Sequence, residues 1–220
     1  LRQQMTKKLL SELIGTFFLV ATVIGSGHMA ENLFNDSPGN QLIANTLATG
    51  VMLFVLINIF STYSGAHFNP VVSFCFMLRG DLTIKQFINF STAQIFGGIL
   101  GAIIANYMFT DYLFVFSQVE RYSDKLFISE IIATFGLVAT IFGLIEANKS
   151  NTIAASVGLY ISGAYWFTSS TSFANPAVTI SRVFTDNFTG INPNSILIFI
   201  IAQIIGALIA FYFIRFLNKK

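Results

Sequence analysis

Few side chains in this chain of 220 residues could do chemistry, and most of them come in matched positions. Two carboxylates, Glu12 and Glu130, sit inside long apolar runs, where a charge is costly and normally has a partner. Two asparagines precede prolines, in His67-Phe68-Asn69-Pro70-Val71-Val72 and in Phe173-Ala174-Asn175-Pro176-Ala177-Val178. Proline suits a first helical position and asparagine is a good N-cap, so each motif predicts the start of a helix. The single cysteine, Cys75, excludes an internal disulfide and a cysteine metal cluster, and His67 and His28 are too few for a closed metal site. No nucleophile has a plausible base and no HExxH-like pair exists, so the chain is read as neither an enzyme nor a holder of metal or cofactor.

The elements that must position these groups are membrane helices. Hydrophobic residues make up 54% of the chain and charged ones 10%, against roughly 25% charged in ordinary soluble domains. Apolar runs cover Leu9 to Ala30, Leu42 to Phe60, Phe87 to Phe109, Phe127 to Ile145, Ile153 to Phe167 and Ile196 to Phe216. Each approaches the ~20 residues that cross hydrocarbon, the fifth being shortest. The segments after each Asn-Pro, Val71 to Leu78 and Val178 to Phe184, are apolar but too short to span. Irregular backbone at membrane depth is tolerated only when buried in protein or lining a wet cavity. The expectation is an all-α membrane protein of six transmembrane helices and two re-entrant half-helices.

The two halves echo each other. Ser11-Glu12-Leu13-Ile14-Gly15-Thr16-Phe17 returns as Ser129-Glu130-Ile131-Ile132-Ala133-Thr134-Phe135, and Ala93-Gln94-Ile95-Phe96-Gly97 as Ala202-Gln203-Ile204-Ile205-Gly206. The whole chain, 1–220, reads as one domain of two repeat halves, about 8–109 and 126–217. Three spans per half invert the second copy, which puts a site near the midplane between the repeats. With both termini inside, nine of the twelve Lys and Arg fall on the cytoplasmic side and only Arg121, Lys125 and Arg182 outside. The net charge of +2 therefore reports topology and not a nucleic-acid partner. No cleavable signal pattern is expected, and Met5 is a candidate start.

With the second motif in place, the chain resembles the aquaporins, or major intrinsic proteins. Ser64-Gly65-Ala66-His67-Phe68-Asn69-Pro70 is similar to the family's first pore loop, and Ser11-Glu12 with Gly15-Thr16-Phe17 to its first helix. The resemblance implies a passive channel for water and small neutral solutes and assembly as a homotetramer in membrane lipid. A bacterial inner-membrane location follows from the branch it looks like. Asn69, Pro70, Val71, Asn175, Pro176 and Ala177 would form the pore motifs, with the asparagine amides donating into the lumen. Glu12, Glu130 and His67 would brace the loops. An ion-coupled secondary transporter with inverted repeats is the alternative, Glu12 and Glu130 being its candidate ion ligands.

Two departures from the family pattern bear on selectivity. Val71 stands where alanine is usual, a larger side chain expected to trim the passage slightly, and Val178 where most members carry the arginine of the outer constriction. Counting from the motifs without gaps gives a constriction of Thr49, Gly163, Ser172 and Val178, wide and uncharged; Tyr165, Trp166 and Phe167 lie nearby, and a gap in the count would restore aromatic bulk. Such a ring points to polyols, urea or neutral metalloid hydroxides such as arsenious acid, and Trp166 to Val178 resembles a bacterial branch linked to arsenic resistance. Arg182, one turn beyond Val178, has two open readings: lining the outer vestibule or pairing with Asp186 at the surface.

Overall fold

Helix boundaries follow the capping chemistry of the chain, and residues 2–219 are described by a computed structural model. Leu1 and Lys220, the latter one of the charges assigned to the cytoplasmic side, lie outside the described residues. Among the described residues eight α-helices run in order: α1 Arg2–Leu33, α2 Pro38–Ser64, α3 Pro70–Arg79, α4 Ile84–Phe109, α5 Asp124–Glu146, α6 Ile153–Phe167, α7 Pro176–Ser181 and α8 Ile196–Leu217. A proline opens α2, α3 and α7. Thr83 and Gln86 close a reciprocal capping box at the start of α4, and Ser123 accepts the Leu126 N–H at the start of α5. Gly65 and Gly80, at φ 94° and 97°, turn the chain out of α2 and α3 in the left-handed region that glycine adopts without strain.

Five helices, α1, α2, α4, α5 and α8, are long and apolar enough to cross a membrane. α6 has fifteen residues, a reach of about 22 Å against a hydrocarbon core of about 30 Å. The shortest of the six expected spans is thus the one helix of the six that falls short of that length. It is preceded by a 3₁₀ turn, Ser150–Thr152. The protein is a multi-pass, all-helical membrane protein. α3 and α7 are the two short apolar helices after Asn-Pro. α3 is longer than expected by a residue at each end, whereas α7 stops at Ser181 and tightens into a 3₁₀ turn, Arg182–Phe184.

Glycines set how closely the long helices pair. α1 packs along α4 and α5 along α8, while α2 lies against α1 and α6. A Cβ on Gly97 would come within 2.2 Å of the Leu13 carbonyl oxygen, and one on Gly101 within 2.4 Å of that of Phe17. The same approach recurs between α8 and α5, where a Cβ on Gly206 would meet the Ile131 oxygen at 2.4 Å. Backbone-to-backbone contact of this kind substitutes for the hydrophobic drive that lipid cannot supply. It also brings Glu12 of α1 beside Gln94 of α4, and Glu130 of α5 beside Gln203 of α8.

Candidate functional site

Both buried carboxylates are spent on the loops that precede the short helices. Glu12 accepts hydrogen bonds from the backbone N–H groups of His67 (3.0 Å) and Phe68 (2.7 Å), from the Ser64 hydroxyl (2.6 Å) and from Gln94 Nε2 (2.7 Å). Glu130 accepts from the N–H groups of Phe173 and Ala174, both at 2.9 Å, and from Gln203 Nε2 at 2.7 Å. These bonds draw the loop N–H groups toward the protein and hold a backbone with repeated positive φ: Ala66 (53°) and Phe68 (49°) in one loop, Thr171 (60°), Ser172 (50°) and Ala174 (46°) in the other. Non-glycine residues keep such conformations only when their surroundings over-determine them. His67 adds to the first loop through Nδ1, 3.0 Å from Ser73 Oγ, and by stacking on Phe76 at 4.3 Å.

The two asparagines meet across the end-to-end junction of α3 and α7. Asn69 Oδ1 accepts the Val71 N–H at 3.0 Å, while its Nδ2 donates to the Ala174 carbonyl at 2.7 Å. Asn175 does the same in reverse: Oδ1 accepts from Ala177 (2.9 Å) and Val178 (3.3 Å), and Nδ2 donates to the Phe68 carbonyl at 2.8 Å. Each carboxamide nitrogen carries two hydrogens, and these bonds use one. Both asparagines line a cavity of about 830 Å³, open ends included, bounded by α1, α2, α3, α5, α6, α7 and the two loops. The wall is apolar along Val23, Leu53, Ile57, Ile141 and Val157 and polar at the loops.

The expected pore-motif residues divide. Asn69 and Asn175 are on the cavity wall; Pro70, Val71, Pro176 and Ala177 are buried off it. Val71 packs in the apolar core, and the valine facing the cavity is Val72. The expected trimming of the passage by Val71 is therefore corrected, because successive helical residues point about 100° apart.

The constriction obtained by counting is also corrected. Thr49, Ser172 and Val178 line the cavity, but Gly163 does not. Gly163 is exposed on the far side of α6, with nothing within 4 Å of where its Cβ would stand. Tyr165, 3% exposed, takes its place, with its hydroxyl 3.3 Å from Thr49 Oγ1. A slip of two residues rotates a helix position by about 200°, enough to exchange lipid for lumen.

Arg182 lies on the cavity wall rather than at the surface. It is 2% exposed, its guanidinium stands over the Phe173 ring at 3.5 Å, and Nε donates to the Thr189 carbonyl. Asp186, the alternative partner, instead accepts the Gln118 N–H at 2.7 Å. The wall is therefore bulkier and more charged at this end than the counted ring. A second arginine, which the sequence marked only as external, stands against the same ring. Arg121 lies 4.9 Å from the Phe173 centroid and donates to the carbonyls of Gly190 (2.8 Å), Phe188 (2.8 Å) and Ser170 (3.4 Å). Burial lowers it to about 10, which leaves it charged at neutral pH. Nothing in local sequence distinguishes Arg121 from a solvated loop arginine, since its partners come from a segment about 50 to 70 residues away.

The chain matches Major intrinsic protein over residues 2–172. It is 45% identical over 213 residues to Aquaglyceroporin AqpS of Rhizobium meliloti (strain 1021), covering 97% of this chain and 91% of that protein. A probable aquaporin of the TIP type from Medicago truncatula is 30% identical over 64% of this chain and 58% of its own length. The X-ray structure of the aquaglyceroporin from Plasmodium falciparum superposes with a TM-score of 0.73 over 95% of both chains, at 21% identity, and so shares the fold. The chain is a membrane channel for water or small solutes, not an enzyme, and it belongs to the major intrinsic protein family.

Proposed function

We propose that this channel passively conducts uncharged solutes larger than water, such as polyols, urea or neutral metalloid hydroxides including arsenious acid, alongside water. One observation carries the reading: Asn69 and Asn175 each cap a half-helix with the carboxamide oxygen and brace the opposite loop with one N–H. The second N–H of each is then available to a hydroxyl or amide solute in the cavity both residues line. Thr49, Tyr165, Ser172, Val178 and Arg182 form the outer selective wall in this reading, and Glu12, Glu130 and His67 act as loop braces. The pore motifs are Asn69-Pro70-Val71 and Asn175-Pro176-Ala177, in a single channel domain with halves about 8–109 and 126–217. The preference for solutes beyond water is supported by the 45% identity to a protein named an aquaglyceroporin. Assembly as a homotetramer in a bacterial inner membrane, with both termini cytoplasmic, belongs to the same proposal.

The test is light scattering by proteoliposomes after water, glycerol, urea and arsenious-acid gradients. Fast entry that rises linearly with solute concentration is expected for the larger solutes. Water flux alone would overturn the solute class, and saturable uptake driven by an ion gradient would favour a coupled transporter. In a channel, Asn69→Asp and Asn175→Asp place a charge in the lumen and reduce flux at least tenfold, about 1.4 kcal/mol of barrier.

A further inference from the structure

We propose that the outer end of the cavity is also a binding site for a small inorganic anion, formed by the terminal N–H groups of Arg182 and the hydroxyl of Ser172. Among the described residues, Arg182 has no carboxylate within salt-bridge distance; the one ion pair of that kind is Arg79 with Asp81. Its side-chain hydrogen bond is made through Nε to Thr189, which leaves the two terminal nitrogens without a protein acceptor. Phe173 covers one face of the guanidinium, so its donors open at the edge, on the cavity wall. Ser172 Oγ lines the same cavity, is 3% exposed and has no hydrogen-bond partner.

Two arginines, Arg182 and Arg121, share the field of one nearby carboxylate, Glu130. That carboxylate is itself bonded to the Phe173 and Ala174 N–H groups and to Gln203, so a net positive charge remains at this end. Arg121 holds a second positive charge 4.9 Å from the centroid of the same ring, Phe173, and its guanidinium bonds only to neutral carbonyls. A carbonyl orients a guanidinium without neutralising it, and a buried cation gains most from a counter-charge that also accepts its hydrogen bonds. A halide or nitrate ion fits that description: it is small, singly charged and accepts bonds from N–H and O–H donors together. The rest of the lumen is apolar or offers neutral groups, so the anion stops at this end. There it competes with the neutral solutes that cross the same wall.

Chloride-35 line width on the intact protein in detergent micelles tests this site without requiring conduction. Excess broadening by the wild type is expected, falling to the micelle baseline in Arg182→Gln and by at least half in Ser172→Ala. Glycerol should narrow the wild-type line after correction for viscosity on empty micelles, because both ligands occupy one cavity. Broadening that survives Arg182→Gln or Ser172→Ala would overturn the site, and broadening that glycerol leaves unchanged in the wild type would overturn the competition. In proteoliposomes, replacing gluconate by nitrate at constant ionic strength should lower glycerol flux at least twofold, and an unchanged flux would overturn the competition. A protein that binds chloride but conducts nothing would fail the channel reading alone. One that conducts but binds no chloride would fail this proposal alone.

Discussion

The two re-entrant loops share one support and differ in what they present to the cavity. In each, a buried glutamate takes two successive backbone N–H groups of the loop and one glutamine N–H from the paired helix: Glu12 with Gln94, Glu130 with Gln203. Each glutamine also donates to a hydroxyl on the short helix, Ser73 or Thr179. The serine five residues before each asparagine departs from the pattern, since Ser64 donates to Glu12 whereas the Ser170 hydroxyl pairs with Ser129. The residue two before each asparagine departs further. It is His67 in the first loop, stacked on Phe76, and Phe173 in the second, in contact with both Arg121 and Arg182. A support that satisfies backbone groups can be duplicated unchanged, because backbone is the same in both copies. Lumen-facing side chains are free to differ, so each end of one passage acquires its own chemistry.

The shared support is where disruption should be largest. Glu12→Leu takes the acceptor from four buried N–H and O–H groups and Glu130→Leu from three, each costing about 1–3 kcal/mol. Both variants should lose most of their monodisperse fraction in size-exclusion chromatography, Glu12→Leu more completely. Equal losses would show that the Ser64 bond adds nothing to the comparison.

Changes at the unlike residues should alter passage instead of folding. Arg182→Ala removes the charged part of the outer wall, and entry of a four-carbon polyol should rise about fivefold, equivalent to roughly 1 kcal/mol of barrier. Phe76→Ala, on the wall beside His67, should change the same flux by about twofold or less. A larger effect at Phe76 would move the selective step to the first loop's end.

Val71→Ala should have the smallest functional effect, because Val71 is in the core and off the wall. Losing its buried methyl groups should remove about 1.5 kcal/mol of stability, seen as a fall of a few degrees in Tm. Solute flux should stay within twofold of the wild type.

Legibility in the sequence followed the range of the forces involved. Span positions, the two short helices, their Asn-Pro starts and the matched glutamates were readable because burial in lipid, capping and internal echo are written locally. Gly97 and Gly101 stand four apart in the sequence, a spacing that suits close helix approach, but that α1 is what they approach is written nowhere near them. The wall was less readable. Gly163 gave way to Tyr165 because α6 ends at Phe167 and the following loop bends through positive φ, so a count along the chain lost its phase.

By itself, then, the sequence determined an all-helical membrane chain with two matched half-helices and a family resemblance resting on motifs that carry their own local geometry. Tertiary structure alone decided which side chains face the lumen. Arg182 turned inward onto Phe173, Arg121 joined it from another loop, and Val71 turned into the core. The reason is rotational: one residue of helix is about 100° of direction. Whether a side chain meets lipid, protein or solute is therefore fixed only once every neighbouring helix is in place.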